Sequence, residues 1–322
     1  MMDYSKLPKI ELHVHLDGCV RLDTAAELLD LSINEVKYDM LAKEKCLDLN
    51  DYLTKFELPV KIMQTKRNLE RIAYELAVDL KNDGVIYAEI RFAPIKHTLE
   101  GLSLYDVTES VIMGLSRVDM KSNVILCMMR NDDIKTNMMV IDVARHYLNE
   151  GVCAVDLAGA EAIYKTEDFK DLFDYATEKN VPFTIHAGEA DGRESIKSAI
   201  SFGTTRIGHG VNVVTEDDLI KEVIDKDILL EVCPTSNIQT RVVDNYKSHP
   251  IRKLYDLGVP LSINTDNRTV SNTTLKREYK NLEVNLQFST NDFIKTNKQA
   301  INHAFISENE KKDLLNKFNS LL

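Results

Sequence analysis

Val85-Ile86-Tyr87-Ala88-Glu89-Ile90-Arg91-Phe92 is a β-rich run closed by Ala93-Pro94. It follows a helical pattern over residues 67–82 that stops at Asp83-Gly84, where a C-terminal glycine is expected. A strand entered from a helix and left through a turn predicts one α/β unit, and the flanking sequence repeats it. Toward the C-terminus, helix 105–120 leads to strand 123–129, helix 135–149 to strand 152–157, and helix 167–179 to strand 181–186. Helix 194–202 then leads to strand 206–209, helix 216–225 to strand 229–232, and helix 250–257 to strand 259–264. Toward the N-terminus lies one more strand, Ile10-Glu11-Leu12-His13-Val14-His15-Leu16, running into the turn Asp17-Gly18 and bringing the total to eight. Most repeats span roughly 23 to 38 residues, the usual size of a βα unit. The first interval is longer, with helices expected at 23–30 and 49–64. This order predicts an α/β fold, a (β/α)8 TIM barrel with a helical insertion after the first strand; a doubly wound open sheet is the competing arrangement. Helices at 275–286, 290–304 and 308–321 would complete the outer ring. No Pro/Gly/Ser-rich linker interrupts the pattern, so residues 1–322 are expected to form a single domain, with 19–66 as the insertion.

Composition narrows the class. Hydrophobic residues make up 44% and charged residues 28% of 322, the ordinary globular range. The formal net charge of -11 is spread without acidic blocks, so the general field repels nucleic acid and anionic membrane surfaces. No nucleic-acid or membrane partner is expected. The N-terminus has no apolar signal core, and no window approaches 18 uninterrupted apolar residues, which disfavours secretion and membrane insertion. The cysteines, Cys19, Cys46, Cys127, Cys153 and Cys233, are odd in number and lack Cys-x-x-Cys spacing, as expected of reduced thiols in a cytoplasmic protein.

In a parallel barrel the active face lies at the C-terminal ends of the strands, and reactive residues collect there. The first strand ends in His13, His15 and Asp17; the fifth in His186-Ala187-Gly188-Glu189; the sixth in His209-Gly210; the eighth in Asn264-Thr265-Asp266-Asn267. Residues two apart in a strand point to one side, so His13 and His15 can reach one ion. With His186 and Asp266 they make an N/O set that suits Zn(II), and that Fe, Co or Mn could also occupy. A cation there lowers the pKa of bound water from about 15.7 to roughly 7, which solves the nucleophile problem without Ser or Cys. Glu189, in the loop after its strand, can reach a substrate without binding metal, and as an acid it needs a pKa raised by burial. His209 can orient the attacking oxygen and take its proton. His97, His146, His249 and His303 are read as surface or structural residues.

Over nearly its whole length the sequence resembles the adenosine deaminase family. The matching segments are Lys9-Ile10-Glu11-Leu12-His13-Val14-His15-Leu16-Asp17-Gly18, Asp51-Tyr52-Leu53 through Gln64-Thr65, Glu89-Ile90-Arg91-Phe92-Ala93-Pro94, Asp156-Leu157-Ala158-Gly159, His186-Ala187-Gly188-Glu189, Arg206-Ile207-Gly208-His209-Gly210, Cys233-Pro234-Thr235-Ser236-Asn237 and Asn264-Thr265-Asp266. The resemblance implies zinc-dependent conversion of adenosine and 2'-deoxyadenosine to the inosine nucleosides plus ammonia, in purine salvage. It implies His13, His15, His186 and Asp266 as ligands of one Zn2+, Glu189 as the acid toward purine N1, and His209 as the residue that activates the nucleophile. It further implies that Gly159 offers its backbone N–H to N3 and that Asp17, beside His15, holds a ribose hydroxyl. The insertion resembles the family's helical flap, with Leu53, Phe56, Leu58, Pro59, Val60 and Met63 as candidates to cover the base.

One position departs from the family pattern. Many members carry a second aspartate and a proline after the metal ligand; here Asn267-Arg268 stands instead. An aspartate must be protonated to donate to N7, whereas the Asn267 amide donates at any pH. Arg268 leaves open an anionic substrate group. The expected partner is a small-molecule purine nucleoside, and the expected assembly a monomer or small homo-oligomer. Other readings keep the scaffold: a deaminase of adenine or of a 5'-modified adenosine, a metal-dependent hydrolase of amides or phosphoesters, or a binding protein of enzyme descent. Adenosine monophosphate is disfavoured, since no Gly-rich phosphate cradle is present.

Overall fold

The computed structural model describes Tyr4 and residues 6–322. Among them are eight strands: β1 Lys9–His15, β2 Val85–Phe92, β3 Lys121–Met129, β4 Val152–Ala158, β5 Ile185–Ala187, β6 Arg206–His209, β7 Leu229–Val232 and β8 Leu261–Ile263. They pair in parallel as two four-stranded sheets, β1-β2-β3-β4 and β5-β6-β7-β8. The sheets meet at both edges. Val155 N–H donates to Pro182 O at 2.9 Å and Thr184 N–H to Val155 O at 3.0 Å, joining β4 to the approach of β5. At the other edge, His15 N–H donates to Asp266 O at 2.7 Å and Asp266 N–H to His13 O at 2.9 Å, joining β1 to the segment after β8.

The strands β2, β6 and β7 keep the bounds expected from the sequence. The shortened β5 and β8 correct the expectation of 181–186 and 259–264, and one cause serves both. Pro182 and Pro260 have no N–H to give to a ladder, so regular pairing starts beyond each; both carbonyls still accept, Pro260 O from Leu230 N–H at 2.9 Å. The segment after β1 is also more broken than expected. Helices run over Leu22–Leu29, Ile33–Met40, Leu49–Leu53 and Glu57–Ile62, with a 3-10 turn at Thr54–Phe56. The helix Ile33–Met40 was not expected, although Ser32 and Glu35 cap its start reciprocally. Pro59 divides 49–64, because a proline fits only the first turn of a helix, and Glu57–Ile62 begins accordingly.

Alternation along the strands sorts side chains to two sides. Ile90, Val124, Leu126, Val155, Ile185, Ile207, Leu230 and Leu261 are buried in the largest apolar cluster, where the flanking helices pack. The other parity carries buried charge: Glu11 and His13 on β1, Glu89 and Arg91 on β2, Asp156 on β4, Arg206 on β6 and Glu231 on β7. Glu11, raised to about 8 by burial, accepts from the Thr265 hydroxyl, and the remaining charges are paired. Arg91 reaches Asp156 Oδ2 at 2.9 Å and Glu231 Oε2 at 2.7 Å, while Arg206 reaches Glu231 Oε1 at 2.7 Å and Glu89 Oε2 at 2.5 Å. Burying such ions is costly unless each is matched, and here two guanidiniums meet three carboxylates.

Candidate metal centre and active site

The imidazole edges of His13, His15 and His186 and a carboxylate oxygen of Asp266 all lie within 4.8 Å of one another. Asp266 Oδ1 is 3.5 Å from His13 Nε2 and 3.4 Å from His15 Nε2, and His15 Nε2 is 3.3 Å from His186 Nε2. Carboxylates behind the rings decide where their protons sit. Glu231 Oε2 accepts from His13 Nδ1 at 2.9 Å, and Asp156 Oδ2 lies 2.8 Å from His186 Nδ1. Burial works against both anions, but Arg91 and Arg206 hold Glu231 well below the usual carboxylate range, and His186 and Arg91 lower Asp156. With Nδ1 protonated, each ring turns the lone pair of Nε2 forward, and His13 Nε2 is buried without a protein partner. Convergent lone pairs beside an anionic oxygen are the donor set a divalent cation requires, so these residues fit a metal.

The backbone at two of these strand ends is unusual. His209 has φ 61° and Asp266 φ 58°, left-handed conformations that cost a non-glycine residue about 1 to 2 kcal/mol each. Gly159, with φ 105°, bears the same requirement at no such cost.

A cavity of about 370 Å³ opens in front of the centre. Its polar end is formed by His15, Asp17, Gly159, His186, Glu189, His209, Asp266 and Asn267, so the expected residues are gathered, with only His13 behind the surface. Of the candidate cover residues, Leu53, Phe56 and Val60 line it, joined by Leu49 and Tyr52; Leu58, Pro59 and Met63 do not, and Leu58 and Met63 pack into the core instead. Cys127, Met129 and Ala158 form the facing wall. Arg268 is turned away: its guanidinium pairs with Asp83 Oδ2 at 2.9 Å, outside the cavity.

Glu189 is buried, and burial, with the charges of Asp266 and Glu161, pushes its carboxyl well above the ordinary value. A carboxylic acid that stays protonated is thereby available as a donor. Its Oε1 accepts from Thr240 Oγ1 at 3.3 Å, and Oε2 lies 3.5 Å from His209 Nε2. Burial also raises Asp17, to about 6. Asn267 donates from Nδ2 to the Tyr52 hydroxyl at 2.9 Å, and that hydroxyl lies 2.7 Å from Ser271 Oγ. Its Oδ1 faces Gly18, where any Cβ would come within 1.8 Å, so only glycine fits.

Several contributors escaped the sequence reading. Glu161 gathers the turn after β5: its carboxylate accepts from the N–H groups of Gly188 at 2.6 Å, Glu189 at 2.9 Å, Ala190 at 2.6 Å and Asp191 at 3.1 Å, and from Ser195 Oγ. Asn237 approaches His209, and Asp156 and Glu231 stand behind the rings of His186 and His13. The available signal was a lone charge inside otherwise apolar β4 and β7.

A family model described as adenosine deaminase matches residues 8–321. A Clostridium acetobutylicum protein named adenosine deaminase is 41% identical over 324 residues, covering 97% of this chain and 97% of that protein. Among solved structures, the N6-methyl-AMP deaminase of Arabidopsis thaliana superposes with a TM-score of 0.88 at 26% identity, covering 98% and 97% of the two chains. The adenine deaminase of Arthrobacter aurescens shares the fold, with a TM-score of 0.88 at 22% identity and 98% of each chain covered.

Proposed function

This chain belongs to the adenosine deaminase family, and on that premise we propose how its site deaminates adenosine and 2'-deoxyadenosine. It is a hydrolytic deaminase, and the reaction consumes water and yields the inosine nucleoside plus ammonia. The observation that carries the assignment is the convergence of His13, His15, His186 and Asp266 beside a buried acid, Glu189, on one wall of a purine-sized cavity. A divalent cation held by those four residues, Zn2+ being the best match to three imidazoles and a carboxylate, supplies the Lewis acid that makes water nucleophilic near neutral pH.

Glu189 gives its proton to N1, which draws electron density from C6 and lets water add there. His209, 3.5 Å from Glu189, orients the attacking oxygen through its Nε2 edge. The proton lost by the water as it adds restores Glu189, and the tetrahedral carbon then collapses as its hydroxyl proton passes to the amine, which leaves as ammonia. The backbone N–H of Gly159 takes N3, since the missing side chain lets the ring edge approach, and the second N–H of the Asn267 amide is free for N7. Asp17, beside His15, holds a ribose hydroxyl. A buried acid at that end, with Arg268 committed to Asp83, favours a neutral nucleoside over a nucleotide.

The two sheets are read as one closed (β/α)8 barrel in a single domain, with residues 19–66 as a helical flap whose Leu53, Phe56 and Val60 cover the base. Five buried free thiols support a reducing, cytoplasmic setting, and adenosine deamination there serves purine salvage. The test is loss of adenosine absorbance with metal-replete and chelated protein, compared with adenine as substrate. Chelation should abolish turnover and zinc restore it, and Glu189→Gln should bind inosine while losing turnover by about 100- to 10,000-fold. Full activity in that variant, or faster turnover of adenine, removes the assignment.

A further inference from the structure

The role of His209, like that of His13 and His186, depends on which nitrogen carries its proton, and the buried contacts behind it decide that. Asn237, in the short helix Pro234–Gln239 after β7, places Nδ2 at 3.0 Å from His209 Nδ1. Its Oδ1 lies 3.3 Å from Nε2 of His249, and the Ile251 N–H donates to His249 Nδ1 at 3.1 Å. All three side chains are buried.

The chain of contacts has a fixed end. A backbone N–H cannot be reversed, so His249 Nδ1 must present a lone pair to Ile251. Burial pushes His249 down to about 3, so the ring is neutral and its single proton lies on Nε2. That Nε2–H needs an acceptor, which selects Oδ1 of Asn237 and leaves its NH2 group facing His209. Rotating the amide would set its NH2 against the His249 N–H, and the alternative His249 tautomer would set Nδ1–H against Ile251.

We propose that His249, acting through Asn237, is a positioning residue that locks His209 in the tautomer with its proton on Nε2. In that tautomer Nδ1 of His209 is occupied as an acceptor and faces away from the cavity, so the neutral ring offers the site a donor. His209 therefore holds the attacking oxygen by donating to it and has no lone pair there with which to take its proton. The bearing on turnover rests on the placement of His209 beside the nucleophile given above; the tautomer itself does not.

Histidine-selective 15N labelling of the whole protein, with two-bond proton–nitrogen correlations, reads the tautomer directly. The expected wild-type pattern for His209 is a protonated Nε2 and a bare Nδ1. Asn237→Asp replaces the donor with a second acceptor oxygen and should move the proton to Nδ1, lowering kcat about 10- to 100-fold with KM little changed. His249→Phe removes the end of the relay and should give mixed tautomers with an intermediate loss of kcat. A wild-type spectrum with the proton on Nδ1 overturns the inference whatever the variants do, including variants that fail to fold. An Asn237→Asp protein with unchanged tautomer and unchanged kcat overturns it as well. A wild type that shows the expected tautomer yet leaves adenosine intact supports the relay and removes the activity assigned above.

Discussion

Replacing Glu161 by Gln tests whether the turn carrying Glu189 is built around a single carboxylate. The five donors divide unevenly: Gly188 N–H and Ser195 Oγ meet Oε1, while the N–H groups of Glu189, Ala190 and Asp191 meet Oε2. A glutamine keeps one oxygen, best placed toward the three. Its NH2 group then opposes the Gly188 N–H, which costs about 1 to 3 kcal/mol, while the Ser195 hydroxyl can turn and accept. The remaining bonds lose their charge assistance, roughly 1 kcal/mol each. Relief of the buried charge of Glu161 offsets several kcal/mol of this sum. The net expectation is a loss of about 1 to 3 kcal/mol, or a Tm lower by roughly 2 to 6 °C. Function should suffer more than stability, because a shift of about 1 Å in a catalytic group costs on the order of 100-fold. The assay is initial-rate loss of adenosine absorbance at a temperature where the variant is folded, alongside inosine binding. A variant with wild-type kcat, or one that loses kcat equally in the presence and absence of Glu189→Gln, would refute the reasoning, since Glu161 is argued to act through that residue.

Other expectations follow from the same contacts. Asp156→Asn weakens the partner of His186 Nδ1 and of Arg91, so zinc affinity in a chelator competition should fall about 10- to 100-fold; unchanged retention would show that the ring needs no anion behind it. Asn267→Asp should lower kcat/KM more at alkaline than at neutral pH, because the carboxyl donates only while protonated, and a pH profile like the wild type's would reject the contact to N7. Two buried histidines set a stability dependence: burial lowers His97 to about 4 and His249 to about 3, below the ordinary value near 6.5. The unfolded chain therefore takes up these protons first as the pH falls. These two rings should withdraw roughly 3 kcal/mol of folding free energy between pH 7.5 and 5.5, read as the difference between urea titrations of the wild type and of a protein with both replaced by Phe, because buried Glu11, raised to about 8, and Glu278, raised to about 7, act in the opposite direction; no pH-dependent difference would mean that these rings are already charged when folded.

The repeat of helix and strand was legible because hydrophobic periodicity survives at each unit, and β2, β6 and β7 were bounded correctly. Pro182 and Pro260 marked the two strands whose starts were set too early, and the missing N–H was there to be read. The candidate ligands His13, His15, His186 and Asp266 stood out because they fall, with His209, at strand ends. Their supports did not. Glu231 and Asp156 reveal themselves only when neighbouring strands bring them behind His13 and His186. Glu161 and His249 act across folds of the chain that no local spacing encodes: Glu161 lies 27 residues from the first amide it binds, and His249 stands 12 residues from Asn237. Reading His249 as a structural residue was right about its burial and silent about what the burial does.

The paired guanidiniums and carboxylates beneath His13 and His186 leave this protein little freedom to vary there. Any single exchange among Arg91, Arg206, Glu89, Asp156 and Glu231 strands an ion in the interior, so drift at one position demands a simultaneous change at another. New substrate preferences are therefore reached most easily from above, through Leu49, Leu53, Phe56 and Val60, where a neutral side chain can be traded for another without disturbing the electrostatics of the floor.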